Sequence, residues 1–465
     1  MPNNYVLLER IELNATALSV SFDNIPQTGY TDLKLVWSAR RQVNPGYALV
    51  NFNNLATANF SNRVLEGNGA SASSFVNGST NYAGALVAAA DTANTFGSSE
   101  MYIPNYTSSN FKSYSIEAVS ENNGTTAYAD MISGLWSNTA AINAIKLTTH
   151  DGASFAVGST FSLYGVAKTG TTPAIAPKAD GGNVIGTDGT YWYHAFLSNG
   201  TFTPQVALSA DVLVVAGGGG GGSAGGAGYN GGAGGGAGGL RVLASQSLAS
   251  STAYTCTIGA GGTTALSTVS TAGVNSSFAG SGFTTINVTG GGFGGRNGAA
   301  DKNGGNGGSG GGSGATSAVA GTAGTGNTGS YSPVEGYNGG TGSSNGVTYD
   351  AGGGGGGAGA VGSAGSSGAC GAGGAGANAY NGTTITAWLT ATNTGSSGYL
   401  AGGGGGGGVG SPTAGTAGSG GGGVGSNGGT PGNGVANTGS GGGGAGSGAG
   451  GTGGSGIVIV RYLVA

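Results

Sequence analysis

The side chains able to do acid–base, nucleophilic or metal chemistry are few and scattered in this sequence. It has two histidines, His150 and His194, and two cysteines, Cys256 and Cys370. A metal site needs several such ligands at short, defined spacings. These four lie far apart, so surface or packing roles are expected for the histidines. Two free thiols are expected for the cysteines, with one disulfide as the alternative. Neither cysteine has a recognisable catalytic base beside it. A glycoside hydrolase needs two carboxylates flanking a cleft. Beyond Asp211 the acids are Asp301, Glu335 and Asp350, which are dispersed and suit loops. Earlier in the chain Asp23, Asp32, Glu66, Asp91, Glu100 and Glu117 are free to pair in space, which sequence does not decide. Gly-x-Gly-x-x-Gly recurs, but at this glycine density it arises by chance, and no lysine follows to hold a phosphate. The expectation is a non-enzyme with no catalytic residue, no metal and no cofactor.

Aromatic side chains are the remaining candidates. Tyr331, Tyr337, Tyr349, Tyr380, Trp388 and Tyr399 fall in stretches that interrupt long glycine runs. Loops on a rigid scaffold commonly carry binding, and Tyr and Trp dominate interface hot spots. On one reading these six rings stack on sugar or contact an outer-membrane protein. On the other they plug gaps where the glycine runs end.

The elements that would position such loops are unusual in composition. Of 111 glycines, 18 fall in residues 1–210, so 93 lie in residues 211–465. Charged residues make up 6% of the chain and the net charge is −4, against about 25% charged residues in ordinary globular domains. No basic patch exists for nucleic acid or an anionic membrane. Low charge with 37% hydrophobic residues is also not the composition of charged disorder. The start, Met1-Pro-Asn-Asn-Tyr5, has no basic or apolar leader, and no apolar run approaches the roughly 20 residues of a membrane helix. A soluble protein made in a cytoplasm is expected.

Residues 1–167 read as an all-β domain, a jelly-roll-like sandwich. Strands are expected at 5–13, 17–22, 33–38, 47–52, 99–103, 111–119, 144–149 and 160–166, separated by Gly, Asn, Pro and Ser clusters. Residues 168–182, with two prolines, read as a linker. Residues 183–465 form the glycine-rich domain. Its entry is Tyr191–Phe196, an Asn199-Gly200 turn and Thr201–Thr203, a hairpin signal. Inside it, Ala216, Ala351 and Ala401 each lead a long glycine run, at irregular spacing along the chain. Strands are expected at 240–243, 253–258, 284–288, 383–389 and 457–460. A free glycine run is a flexible linker, but these runs are bracketed by apolar strands. The packable form of such a run is the polyproline-II-type helix, with three residues per turn and about 3.1 Å rise. Its outward N–H and C=O groups require partners, which neighbouring glycine helices supply. A lattice of polyglycine-II helices and short strands is therefore expected.

Asp211-Val-Leu-Val-Val-Ala-Gly-Gly-Gly-Gly-Gly-Gly222 and Gly453-Gly-Ser-Gly-Ile-Val-Ile-Val-Arg-Tyr462 resemble the glycine-rich domain of bacteriophage virion proteins, especially tail-fibre proteins of marine phages. Tyr254-Thr-Cys-Thr-Ile-Gly-Ala-Gly-Gly262, Asn275-Ser-Ser-Phe278 and the entry Asp188–Phe202 fit the same pattern. In the first domain Tyr30–Val36, Ile103–Tyr106, Trp136–Ile142 and Gly158–Val166 resemble a β-sandwich module of phage structural proteins. The resemblance implies a virion part that acts as a tail fibre or adhesin. It would recognise a host-surface glycan or outer-membrane protein and attach to other virion proteins of tail or capsid, with homotrimers favoured. A capsid decoration or head-fibre protein is the alternative. An ice-binding protein is a remoter one, since it needs a flat, regular Thr/Ala face that the irregular spacing of the runs argues against.

Overall fold

The computed structural model describes residues 5–23, 25–43, 45–55, 59–77, 81–124, 127–168, 176–224, 231–266, 268–296, 301–316, 319–410 and 413–464. Residues 169–175 of the expected linker lie outside them. The chain is all-β and divides into two compact units. One comprises Met1–Pro177, Asn183–Trp192 and Leu463–Ala465, and the other Lys178–Gly182 and Tyr193–Tyr462.

The first unit is built from β1 (Tyr5–Glu12), β2 (Ser19–Phe22), β3 (Tyr30–Ser38), β4 (Gly46–Phe52), β5 (Phe60–Gly67), β6 (Ala72–Phe75), β7 (Tyr82–Leu86), β8 (Ser98–Ile103), β9 (Lys112–Val119), β10 (Ala129–Trp136), β11 (Ile145–Thr149) and β12 (Thr160–Ala167). With β14 (Val184–Thr187), one sheet runs in the order β14-β1-β12-β3-β8-β9-β10-β5-β6, and a second runs β2-β11-β4-β7. Residues alternate inward and outward along each strand. In β9 and β10 the inward set includes Tyr114, Ile116, Ala118, Ile132 and Trp136, all buried. Phe52 of the second sheet meets Phe60, Tyr114 and Trp136 at centroid distances of 5.5, 5.6 and 5.5 Å. These rings are the heart of an ordinary apolar core.

Four strands here were not anticipated from sequence: β5, β6, β7 and β10. In β5 and β10 the inward positions include polar residues that break the apolar alternation. Inward Asn62 accepts the Asn77 N–H at 2.9 Å. Inward Asp130 accepts from the Tyr82 hydroxyl at 2.7 Å and the Ala85 N–H at 2.9 Å. Burial is offset by partners far along the chain.

The second unit begins as strands and continues as glycine. β13 (Ala179–Asp180), β16 (Gly200–Pro204), β19 (Tyr254–Thr257), β20 (Ser276–Gly280) and β21 (Ile286–Val288) form one sheet. β17 (Leu208–Val215) pairs antiparallel with β18 (Leu240–Leu248) and with the C-terminal strand Ile457–Leu463. β15 (Tyr191–Phe196) and β16 lie in different sheets, so Asn199-Gly200 does not close the expected hairpin. The Asn199 side chain instead accepts the Ile258 N–H at 2.7 Å. The expected strand at 383–389 is also replaced. Only Thr383–Thr384 is extended, and α1 (Thr386–Ala391) follows. Ile385, Trp388 and Leu389 are buried together, at the i, i+3, i+4 spacing of a helix face.

Beyond the strands lies the lattice. Along 217–222 successive N–H groups donate to Val274, Gly454, Gly236, Thr271, Gly451 and Ala233, at 2.7–3.1 Å. Every third residue returns to the same neighbour, the signature of three residues per turn. The carbonyls accept in the same rotation from other segments, Gly291 and Gly294 on one side and Gly442 and Ala445 on another. Segments 231–239, 309–314, 352–357, 402–408 and 440–445 are surrounded in the same way. Around them runs a rim of 259–262, 271–274, 290–295, 304–308, 321–327, 337–342, 360–365, 371–377, 415–419, 422–426, 432–435 and 450–456, each bonded to the next. Successive segments alternate in direction, up and down between the strands and a far end.

Only glycine allows this spacing. A Cβ placed on Gly219 would lie 2.1 Å from the Gly292 carbonyl oxygen, and one on Gly235 would lie 2.2 Å from that of Gly219. Alanine and serine enter the interior where such a clash is absent, as at Ala233, Ala237, Ser313 and Ala445, all buried.

Candidate functional site

The alternation of segments leaves two loop surfaces on the second unit. At the strand end the chain turns through 327–336 and 378–400. At the far end it turns through 263–266, 268–270, 343–351, 366–370 and 427–431, among others. The six aromatic candidates divide unequally between these ends.

Tyr331 and Tyr380 come together at the strand end. The Arg241 guanidinium lies 3.8 Å from the Tyr331 ring centroid, a cation–π contact, and its Nη1 donates to the Asn287 carbonyl at 3.0 Å. The Tyr380 hydroxyl donates to the Pro333 carbonyl at 2.7 Å. Burial raises the pKa of the Tyr380 phenol, and Arg241 opposes that shift. Asn327 ties the loop by accepting the Tyr331 and Glu335 N–H groups. Buried Glu335 accepts the Thr289 N–H at 2.9 Å, and the Leu240 N–H donates to its backbone carbonyl. Tyr337 begins the next segment, with 38% of the residue exposed. Tyr399 sits half-buried in the turn after α1.

Trp388 has no exposed surface at all. It packs under the Arg461 guanidinium at 4.3 Å and against Tyr193 at 6.3 Å. Arg461 is itself held by Asp211 at 2.8 Å. In this structure Trp388 packs the junction of α1 with the strand layer. Tyr349 stands apart from the other five. It lies half-buried at the far end, with its hydroxyl 3.3 Å from that of Ser343. Adjacent Asp350 is buried, and burial raises its carboxyl pKa against a hydrogen bond from Ser344.

Sequence reasoning passed over the exposed aliphatic side chains of the far-end loops. Leu266, Val269 and Val347 project there, Val347 with 67% of its surface exposed. An isolated valine among glycines carries no periodic signal, so only the three-dimensional path reveals its position.

Both cysteines and His194 are inward, whereas His150 is exposed. Cys256 and Cys370 are free and buried. Burial pushes the Cys256 thiol far up and the Cys370 thiol to about 11. Buried His194 is lowered to about 4, chiefly by burial. Its Nδ1 donates to the Gly181 carbonyl at 2.6 Å, leaving Nε2 to accept from the Tyr462 hydroxyl at 2.9 Å. That hydroxyl oxygen accepts the Lys178 N–H at 3.0 Å. His150 stacks on Tyr47 at 4.2 Å. Among the described residues, no group of three or more His, Cys, Asp or Glu side chains is placed to hold a metal ion. Among the same residues, no helix is long and apolar enough to cross a membrane.

The stretch from the entry strands to the end of the C-terminal strand matches a family model described as a glycine-rich domain, over residues 197–463. The chain belongs to this glycine-rich domain family. Comparison with curated proteins and with solved structures gave no match. The family match covers the glycine lattice together with the β17, β18 and C-terminal strands that anchor it.

Proposed function

We propose that this glycine-rich domain protein is a structural component of a phage virion. In this reading it acts as a tail fibre or adhesin that recognises the host cell surface through loops on the glycine scaffold. One observation carries the reading. Segment after segment crosses the lattice and returns through a loop, so a stiff, hydrogen-bonded body displays many short loops at its ends. Loops on such a body vary without disturbing what holds it together. Sparse charge, 6% of residues, keeps nonspecific electrostatic adhesion low. The resemblance to phage virion proteins supplies the partners: host glycan or outer-membrane protein outward, and virion proteins of tail or capsid inward.

The first test is gold-labelled antibody against residues 183–465 on purified particles, viewed by electron microscopy. Label on the tail or its fibres is the expected result. Label spread evenly over the head would replace the adhesin with a capsid decoration protein.

The ice-binding alternative gains one specific observation. The glycine runs are irregular along the chain, but rim positions are regular in space. Thr322, Thr325 and Thr328 are exposed at three-residue intervals, and Thr413, Thr416 and Ser419 repeat the pattern. A thermal-hysteresis measurement separates the two readings, and the adhesin reading expects none.

A further inference from the structure

The outer face of the β9-β10-β5-β6 sheet in the first unit carries a patch that its own fold leaves incomplete. Met131 pairs with Leu65 on one side and with Glu117 on the other, while Ser133 pairs with Arg63 and Ser115. All these side chains point outward. Met131 is 57% and Leu65 52% exposed, side by side at the centre of a shallow groove.

The flanking charges are equally unfinished. Glu117 lies directly opposite Glu100 on β8, a like-charge pairing that destabilises a sheet. Lys34 binds Glu100 at 2.8 Å. Neither Glu117 nor Arg63 has a salt bridge among the described residues. The patch is thus an apolar centre with a cation on one side and an anion on the other.

We infer that this face is a two-fold interface between copies of the chain, in which Met131 and Leu65 pack on their counterparts and each Arg63 pairs with Glu117 of the other copy. An isologous contact requires a patch complementary to itself. A two-fold axis lying in the plane of the face, midway between Arg63 and Glu117, meets that requirement. It brings the apolar pair onto itself and exchanges the two charges. A surface for an unrelated partner has no reason to carry this self-complementarity. The inference is independent of the adhesin reading, because any virion or non-virion role accommodates a dimer.

Sedimentation equilibrium of the full chain tests it. The wild type should be dimeric. Arg63→Glu and Glu117→Arg each set like charges opposite one another and should weaken the dimer at least about tenfold, equivalent to about 1.4 kcal/mol. The double variant R63E/E117R restores both pairs with reversed sign and should recover dimerisation. All four side chains of the patch are exposed, so the variants should keep the fold, seen as an unchanged far-ultraviolet circular dichroism spectrum, while their melting temperature falls only as far as the lost dimer dictates. A monomeric wild type at about 100 µM overturns the inference. So does a trimer, or a dimer indifferent to the single charge reversals, or a double variant no stronger than the singles.

Discussion

The two units of this chain solve the same problem with opposite materials. The first buries Trp37, Trp136, Phe22, Phe52 and other large apolar side chains between two sheets. The interior of the second unit's glycine lattice consists of backbone, and its buried segments carry hydrogen, methyl or hydroxymethyl groups where the first unit carries rings. Apolar burial contributes about 25 cal/mol per Å², a term the glycine interior largely lacks. Its cohesion comes from N–H and C=O groups that pair in every direction around each helix. Ordering glycine costs more backbone entropy than ordering any other residue, so the bonds must form together or not at all. The glycine lattice thus selects for close approach of backbones rather than for hydrophobicity.

Substitutions sharpen that contrast. The largest effect is expected from Gly235→Val. Its Cβ would meet the Gly219 carbonyl oxygen at 2.2 Å, and the obstacle is backbone. We expect a loss above about 4 kcal/mol, seen in calorimetry as disappearance of the second unit's transition. The same side chain at the rim, in Thr325→Val, should change stability by less than about 0.5 kcal/mol. Equal effects at the two positions would refute the distinction between interior and rim.

In the first unit, Trp136→Ala removes a fully buried ring and should cost about 3–5 kcal/mol. Chemical denaturation should show that loss while amide protection in 217–222 is retained.

Acid probes the strand layer of the second unit. His194 has its pKa depressed to about 4, from about 6.5 when unfolded. Below pH 6.5 the unfolded chain binds the proton more readily, so stability falls as pH drops from about 6.5 to about 4 and then levels off. The loss is roughly 3 kcal/mol. His194→Gln should flatten that part of the stability–pH profile, and an unchanged slope would contradict the assignment.

A smaller loss is expected from the side chains that cap the rim. Asn306 accepts the Thr325 N–H at 2.8 Å and Asn303 that of Thr322 at 2.9 Å, capping outward donors with side chains. Asn306→Ala should cost about 1 kcal/mol and speed exchange of the Thr325 amide alone.

Much of this architecture was legible in the sequence. Alternation located most strands of the first unit, and it failed where Asn62 or Asp130 points inward, because their partners lie far along the chain. The glycine runs announced a lattice, since nothing else packs them. Their irregular spacing concealed its order. Unbroken runs such as 217–222 and 352–357 are interior. Rim segments such as 321–327 keep a larger residue at each third position, where the helix faces water. That three-residue period was present in the sequence and went unread. Aromatic residues gave less. Being set between glycines does not distinguish exposed Tyr337 from Trp388, which the buried Ile385–Leu389 face and Arg461 enclose. Nor does it show that Tyr349 sits at the opposite end from the rest.

The central claim is that 217–222, 352–357 and 402–408 are held by neighbouring helices rather than hanging free. Amide hydrogen exchange of the intact protein tests it residue by residue. The account predicts protection across these runs approaching that of the β17 and C-terminal strands, lost in one cooperative step on unfolding. Exchange at the rate of an unstructured glycine chain, with the strands still protected, would contradict it.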